Sequence, residues 1–334
     1  MRDSPNPAMS PPATGPFDVP FGWQPRPFFA SPLHSTSIAV QRQYSGVGHV
    51  AELWRYPAKS MLGEPLLRTA VTAAGVVGDR GWAVRDERRG GIRGAKKISG
   101  LMQLSARYLA DPTGSLPPPD IAIGLPDGSS VASNDADVHA RLSVALGREV
   151  TLWPLQPAEN LDHYRRGAPD SDDVMGEVRD MFGRTDDEPL PDFSIFPVEL
   201  LTEFESPPGT YYDVYPIHLL TTASLRSVER LTPGSSADVR RFRPNILIEV
   251  PDDPAAPLPE EAWVGRNIAI GSAVFHVVAP CPRCVMITHA VADAPVDRAL
   301  LRSVLRHAHQ NLGVYATVIT PGDVAVGQAA HVAD

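Results

Sequence analysis

Apolar and polar positions alternate along Gly46-Val47-Gly48-His49-Val50-Ala51-Glu52-Leu53-Trp54-Arg55-Tyr56-Pro57, the two-residue period of a half-buried strand. The pattern predicts a second strand over Leu67 to Ala73, a glycine-bearing turn over Gly75 to Gly78 and a third strand over Gly81 to Arg85. Short strands separated by turn residues point to a small β-barrel or sandwich. Residues 135–147 carry a helical period, with Asp135 as the expected N-cap and Gly147 as the expected stop. Residues 156–193 are acidic, poor in apolar positions and rich in turn formers, which predicts a linker or a surface excursion. A second ordered unit then begins. Pro216 to Leu220 reads as a short apolar strand, and Thr221 to Ser224 open a helix running to about Leu231. Strands are predicted over Asn245 to Val250, within Asn267 to Val278, at Val285 to Thr288, over Val314 to Thr320 and over Asp323 to Val326, the last pair about a Pro321-Gly322 turn. A helix is predicted from Asp297 to Gln310, stopped near Gly313. Residues 1–36, rich in Pro, Ser and Phe, show no period and read as a loose extension with an aromatic cluster at Phe17, Phe21 and Trp23. The expected fold class is α+β, mainly β, with peripheral helices. Its expected units are residues 37–155 and 194–334, joined by 156–193.

Composition narrows the partners. The chain of 334 residues is 43% hydrophobic and 21% charged, enough to bury a sizeable core. A net charge of −9 argues against a general binder of nucleic acid or of anionic membranes, both of which want a basic surface. No apolar run approaches the roughly eighteen residues of a membrane span, and Met1-Arg2-Asp3-Ser4-Pro5 lacks the apolar centre of a secretion signal. The 2 cysteines sit too close together to frame a disulfide scaffold. A cytoplasmic location is therefore expected.

Those cysteines, in Ala279-Pro280-Cys281-Pro282-Arg283-Cys284, concentrate the sulfur chemistry of the chain in one turn. A thiolate suits a soft metal or sulfur transfer, and an arginine beside it supplies positive charge for a thiolate or an anion. Three further clusters stand at predicted strand ends: Tyr56-Pro57-Ala58-Lys59-Ser60, Gly78-Asp79-Arg80-Gly81-Trp82 and Arg240-Arg241-Phe242-Arg243-Pro244-Asn245. In an acidic chain, guanidinium forks and an ammonium gathered at strand mouths invite a multiply charged anion. The hydroxyls and free amides of Thr221 to Ser224 at a helix start favour the same ligand.

Arg241-Phe242-Arg243-Pro244-Asn245, followed about forty residues later by Cys281-Pro282-Arg283-Cys284, resembles the MOSC domain. Tyr56-Pro57-Ala58-Lys59-Ser60 and Asp79-Arg80-Gly81-Trp82 resemble the N-terminal β-barrel domain that accompanies MOSC in the mitochondrial amidoxime-reducing component and its bacterial relatives, and Pro216 to Leu225 also resembles the bacterial members. The resemblance implies a molybdenum cofactor held between two barrel domains. Cys284 would be its thiolate ligand, Lys59, Ser60, Arg80, Arg243, Asn245 and Arg283 would hold pterin and phosphate, and Thr222 and Ser224 would be weaker contributors. Lys96 and Lys97 are placed at the entrance. The implied reaction is reduction of small N-oxygenated compounds, with electrons from a separate flavoprotein, ferredoxin or cytochrome, because a fused iron–sulfur domain needs four more cysteines. There is also no length for the pyridoxal-phosphate domain of the sulfurases.

Other readings stand beside this one. Cys284 suits a carrier of the cofactor, or of persulfide sulfur, equally well. A binding module using the anion pocket without metal is a third possibility. A zinc site would have to recruit His276 and His289, and a thioredoxin-like pair would want a helix start after a βαβ pattern. Cys281 reads as a structural neighbour, Arg240 and Arg241 as either solvated or functional, and His218 as a core histidine in preference to a catalyst.

Overall fold

The computed structural model describes residues 44–333, so the expected N-terminal extension and its aromatic cluster lie outside the described residues. Seven strands close into a barrel. In chain order they are β1 (Tyr44–Arg55), β2 (Ile217–Thr221), β3 (Ile246–Glu249), β4 (Asn267–Ile270), β5 (Ala273–Pro282), β6 (Asn311–Thr320) and β7 (Ala329–Ala333). Around the barrel the order is β3-β2-β6-β5-β4-β7-β1, and β1 closes it by pairing antiparallel to β3 from His49↔Glu249 to Leu53↔Ile246. The stave that closes the C-terminal barrel therefore comes from the start of the chain. Only β2 and β3 run parallel, in the register Leu219↔Ile246.

Side-chain alternation fills the barrel. Along β5, Ala273, Phe275, Val277, Ala279 and Cys281 are buried while their neighbours are half-buried. Ala273, Phe275 and Val277 meet Val50, Leu53, Ile246, Ile248, Val314 and Val332 in one apolar core. A second core lies under two small sheets, one pairing Trp82–Asp86 with Val150–Pro154 and one built from Ser105–Tyr108, Ile121–Gly124 and Ser130–Ala132. Helix α1 (Val138–Leu146) contributes Val138 and Leu142 to this core. Cys284, Met286 and Val291 enter the same core from the far end of the chain.

Helices α3 (Thr222–Leu231) and α4 (Arg298–His307) pack through Val228, Leu300, Leu301 and Val304 in a third cluster. Thr221 caps α3 by accepting from Ser224 N at 3.2 Å, and Asp297 caps α4 by accepting from Ala299 N at 2.9 Å. The 156–193 stretch carries a helical turn at Leu161–Tyr164 and helix α2 (Val174–Phe182), capped by Asp173 and ended by left-handed Gly183.

Two local expectations are corrected. α1 is preceded by Asp137, and Asp135 instead accepts from Ala132 N at 2.8 Å within the preceding turn. The β-branched run Val285–Thr288 is a 3₁₀ turn, not a strand. The carbonyls of Ile287 and His289 turn inward to the Arg241 guanidinium at 3.4 and 2.6 Å, and β5 has already ended at Pro282. No helix among the described residues is long and apolar enough to cross a membrane.

Candidate cofactor site

Both cysteines line one cavity, and strand parity gives them different surroundings. Cys281 is an inward-facing position of β5, and Arg283 Nη1 donates to its sulfur at 3.0 Å. Cys284 falls beyond the strand, 9% exposed, on the wall of a cavity of about 810 Å³. That cavity gathers side chains distant in sequence: Lys59, Ser60 and Arg80 from the first half, and Arg243, Asn245 and Arg283 from the second. Lys96 and Lys97 also line it. Altogether 9 lysines and arginines and 3 carboxylates line it, in a chain of net charge −9. The positive charge is local.

Its framework hangs on Tyr56 and Asp79. Tyr56 donates its hydroxyl to Pro244 O at 3.0 Å, and its ring lies under Arg243 (4.1 Å from Cζ to the centroid) and Arg80 (5.4 Å). Each such cation–ring contact is worth on the order of 1 kcal/mol. Buried Asp79 accepts from Tyr56 N at 2.8 Å, from Asn245 Nδ2 at 3.0 Å and from Arg80. Motifs more than a hundred residues apart are thereby fixed in one arrangement. Ser60, Arg80 and Arg243 all have left-handed backbones, at φ 66°, 54° and 59°. Non-glycine residues in that region cost roughly 1 kcal/mol each, and such strain concentrates at functional sites.

The expected ligand-holding residues divide by what their donors already touch. Lys59, 3% exposed, has all three ammonium hydrogens matched, to Ser206 Oγ (3.3 Å), Tyr211 O (2.8 Å) and Asp213 Oδ1 (2.8 Å). Burial lowers its pKa, although Asp213 opposes that, and its contribution to an anion is charge at a distance. Asn245 accepts from His218 N at 3.1 Å and donates to Asp79, so its amide fixes the framework. Arg243 Nη1 donates to Met61 O, but its Nη2 is buried with no partner; Arg283 Nη2 donates to Phe242 O at 2.9 Å, but its Nε has none. Burial pushes the pKa of Arg243 down to about 10 against the support of Tyr56. Arg241, which also lines the cavity, has an unmatched Nε too, so three buried guanidiniums there carry an orphaned donor, an energetic deficit.

Thr222 and Ser224 are not brought to the cavity. Thr222 Oγ1 accepts from Val250 N at 3.2 Å, and Ser224 Oγ donates to buried Glu260 at 2.6 Å, so the hydroxyls at the start of α3 are used locally. Asp213 is the residue that sequence reasoning missed. It bridges Lys59 and Lys96 (3.0 Å), and although burial would raise its pKa, those ammonium groups hold it well below the usual carboxylate range. Its only sequence signal was an acid just upstream of β2. Arg240 pairs with Asp238 and Asp293 at the surface, whereas Arg241 is buried. The zinc reading lacks ligands: His276 bonds Asn267 at 2.9 Å and His289 bonds Ala95 O at 3.1 Å, and no group of three or more His, Cys, Asp or Glu able to hold a metal occurs among the described residues.

His218 lines the cavity between the carbonyls of Arg243 and Leu312, each 3.4 Å from a ring nitrogen. Burial, reinforced by Arg283, pushes its pKa down to about 3. The unfolded chain, with histidine near 6.5, binds the extra proton between these limits, so stability is full above about pH 6.5 and is lost as pH falls toward 3. At pH 5 the loss from this group should be about 2 kcal/mol. Urea unfolding at pH 7.5 and pH 5 should show that loss in the parent and not in His218→Gln; equal losses would mean that His218 is not held neutral.

Residues 208–331 match the MOSC domain family, and residues 47–122 match the MOSC N-terminal beta barrel domain family. The mitochondrial amidoxime reducing component 2 of Rattus norvegicus is 27% identical over 268 residues, covering 77% of this chain and 71% of the relative. The protein of the same name from Homo sapiens is 26% identical over 269 residues, with the same coverage. Among solved structures, the YUAD protein from Bacillus subtilis aligns over 87% of this chain and 98% of its own length, at 10% identity and a TM-score of 0.38, too loose a match to carry an argument.

Proposed function

The chain is a MOSC domain protein with an N-terminal MOSC beta barrel domain, and on that premise we propose that its cavity binds the molybdenum cofactor and serves the reduction of N-hydroxylated compounds. The observation that carries this reading is the convergence of Arg80, Arg243 and Arg283 with Cys284 on the wall of one cavity. The donor set fits the group: guanidiniums for a phosphate and a soft sulfur for the metal.

In this reading Cys284 supplies the thiolate, Arg243 and Arg283 donate to the anionic pterin, and Lys59 adds fixed charge from behind. When bound, the cofactor would supply the two-electron redox chemistry. The chain supplies position and electrostatics. Tyr56 and Asp79 hold the guanidiniums in place before any ligand arrives, so little reorganisation is needed on binding. Lys96 is bonded to Asp213, which leaves its ammonium with donors for a substrate oxygen; burial opposes its charge, but Asp213 outweighs burial and raises its pKa. Lys96 therefore stays charged at neutral pH. Electrons come from a separate donor protein, a flavoprotein, ferredoxin or cytochrome.

Protein purified from a host that makes the cofactor should contain close to one molybdenum per chain and reduce benzamidoxime with a dithionite-reduced dye. Absence of molybdenum would overturn the whole reading. Molybdenum without turnover would replace the reductase by a cofactor or persulfide carrier.

A further inference from the structure

The apolar part of the cavity lining comes largely from one segment. Val174, Val178, Met181, Phe182, Phe193 and Phe196 all line it, and all fall between residues 122 and 208, outside both matched family ranges. Helix α2 is amphipathic in sequence, yet none of its residues is buried. Val178, Met181 and Phe182 share a helical face, and all three line the cavity. Phe182 also packs against the core cluster to which Cys284 and Met286 belong.

Charged struts fix the segment at both ends. Asp170 faces Lys97 (3.3 Å), Arg93 (3.4 Å) and Arg148 (3.5 Å), and Glu177 accepts from Lys97 at 2.6 Å. At the far end Glu188 holds Arg302 at 2.7 Å, and Arg184 donates to Gln310 at 2.8 Å. A Cβ on Gly167 would fall 1.8 Å from Gly90 O, so the segment meets the first half of the chain by backbone contact. Struts at the ends and an apolar middle facing a cavity describe a preformed wall. Rings continue it: Phe196 lies 6.4 Å from Tyr315, which lies 5.6 Å from Tyr215 and 5.9 Å from His218.

We infer that this segment is the specificity wall of the site, selecting N-hydroxylated substrates whose body is a flat aromatic ring over those with a small alkyl body. The inference rests on the reductase reading above. The cations orient the polar head while α2 and Phe193 cover the ring, an apolar body and a polar end matched to two regions of one cavity. Lysines and arginines alone would not discriminate between the two bodies.

Calorimetric titration of the purified protein with benzamidoxime and with acetamidoxime tests the wall apart from turnover. The aryl compound should bind about tenfold more tightly, with a negative heat-capacity change. In Val178→Thr/Met181→Gln, a pair of near-isosteric changes at half-buried positions, the aryl-to-methyl ratio of affinities should fall about tenfold, and the ratio of KM values should follow. Met181→Leu, which keeps the apolar surface, should keep the ratio. Equal binding of the two compounds by the parent protein, or an unchanged ratio in the double variant, would sink the wall while the reductase reading stands. Preferential aryl binding with no turnover of either compound would sink the reductase reading and leave the wall as a ligand-binding surface.

Discussion

Cys284→Ala, purified from a cofactor-competent host, is expected to carry at least about tenfold less molybdenum per chain than the parent protein. Cys281 does not substitute for it. Although Cys281 also lines the cavity, its sulfur is hydrogen-bonded to Arg283 and 2% exposed, and the strand that holds it pairs with β6 as far as Pro282↔Asn311. The pterin should survive the substitution better than the metal does, because Arg243 and Arg283 are untouched. Elemental analysis alongside fluorescence of the oxidised pterin separates the two losses. Equal molybdenum in parent and variant would mean that sulfur from Cys284 is not the ligand, and would remove the keystone of the proposed function. The complementary Cys281→Ala variant should retain most of its metal.

Arg241→Ala is expected to lose about 3–5 kcal/mol of stability. Arg241 is 2% exposed, and its guanidinium donates to three carbonyls, those of Ile287 (3.4 Å), His289 (2.6 Å) and Pro295 (2.5 Å). These carbonyls belong to the turn and loop that follow Cys284. Truncation leaves the buried Ile287 carbonyl without a donor, at about 1–3 kcal/mol, removes the charge-assisted bonds to the part-buried carbonyls of His289 and Pro295, and opens a cavity besides. Arg241→Lys should recover less than half, since an ammonium does not reproduce a planar fork reaching three acceptors. Urea unfolding of the two variants checks both statements. A loss within about 1 kcal/mol for the alanine variant would show that water or neighbouring donors replace the guanidinium.

Much of the site was legible in the chain because its chemistry is carried by rare residue types in short motifs. Two cysteines in one turn, and arginines packed beside a proline and a strand, already pointed to a soft metal and an anion. The structure brings Lys59, Ser60, Arg80, Arg243, Asn245, Arg283 and Cys284 to one cavity. Thr222 and Ser224 failed because a helix start has a local use for hydroxyls, capping and the Glu260 carboxylate, that sequence spacing does not distinguish from ligand binding. Asp213 was missed because one carboxylate near a strand has no local signature; its meaning comes from Lys59 and Lys96, more than a hundred residues earlier.

The same division runs through the fold. Local pattern sufficed for β1, β2, α3 and α4, where alternation or helical period coincides with a capping residue such as Thr221 or Asp297. It failed at Val285–Thr288, where β-branched propensity yields to the buried Arg241 guanidinium drawing carbonyls inward. It also passed over Ala329–Ala333, a stave whose partners are the start of the chain and β4. Sequence alone determined which residue types meet and in what order, because periodicity and rare side chains are written along the chain. Only tertiary structure decided that β1 closes the far barrel, that Lys59 is already saturated, and that an acidic excursion turns its apolar face to the cavity. Those outcomes depend on which donors and faces remain unmatched after long-range pairing, and no local window of residues contains that information.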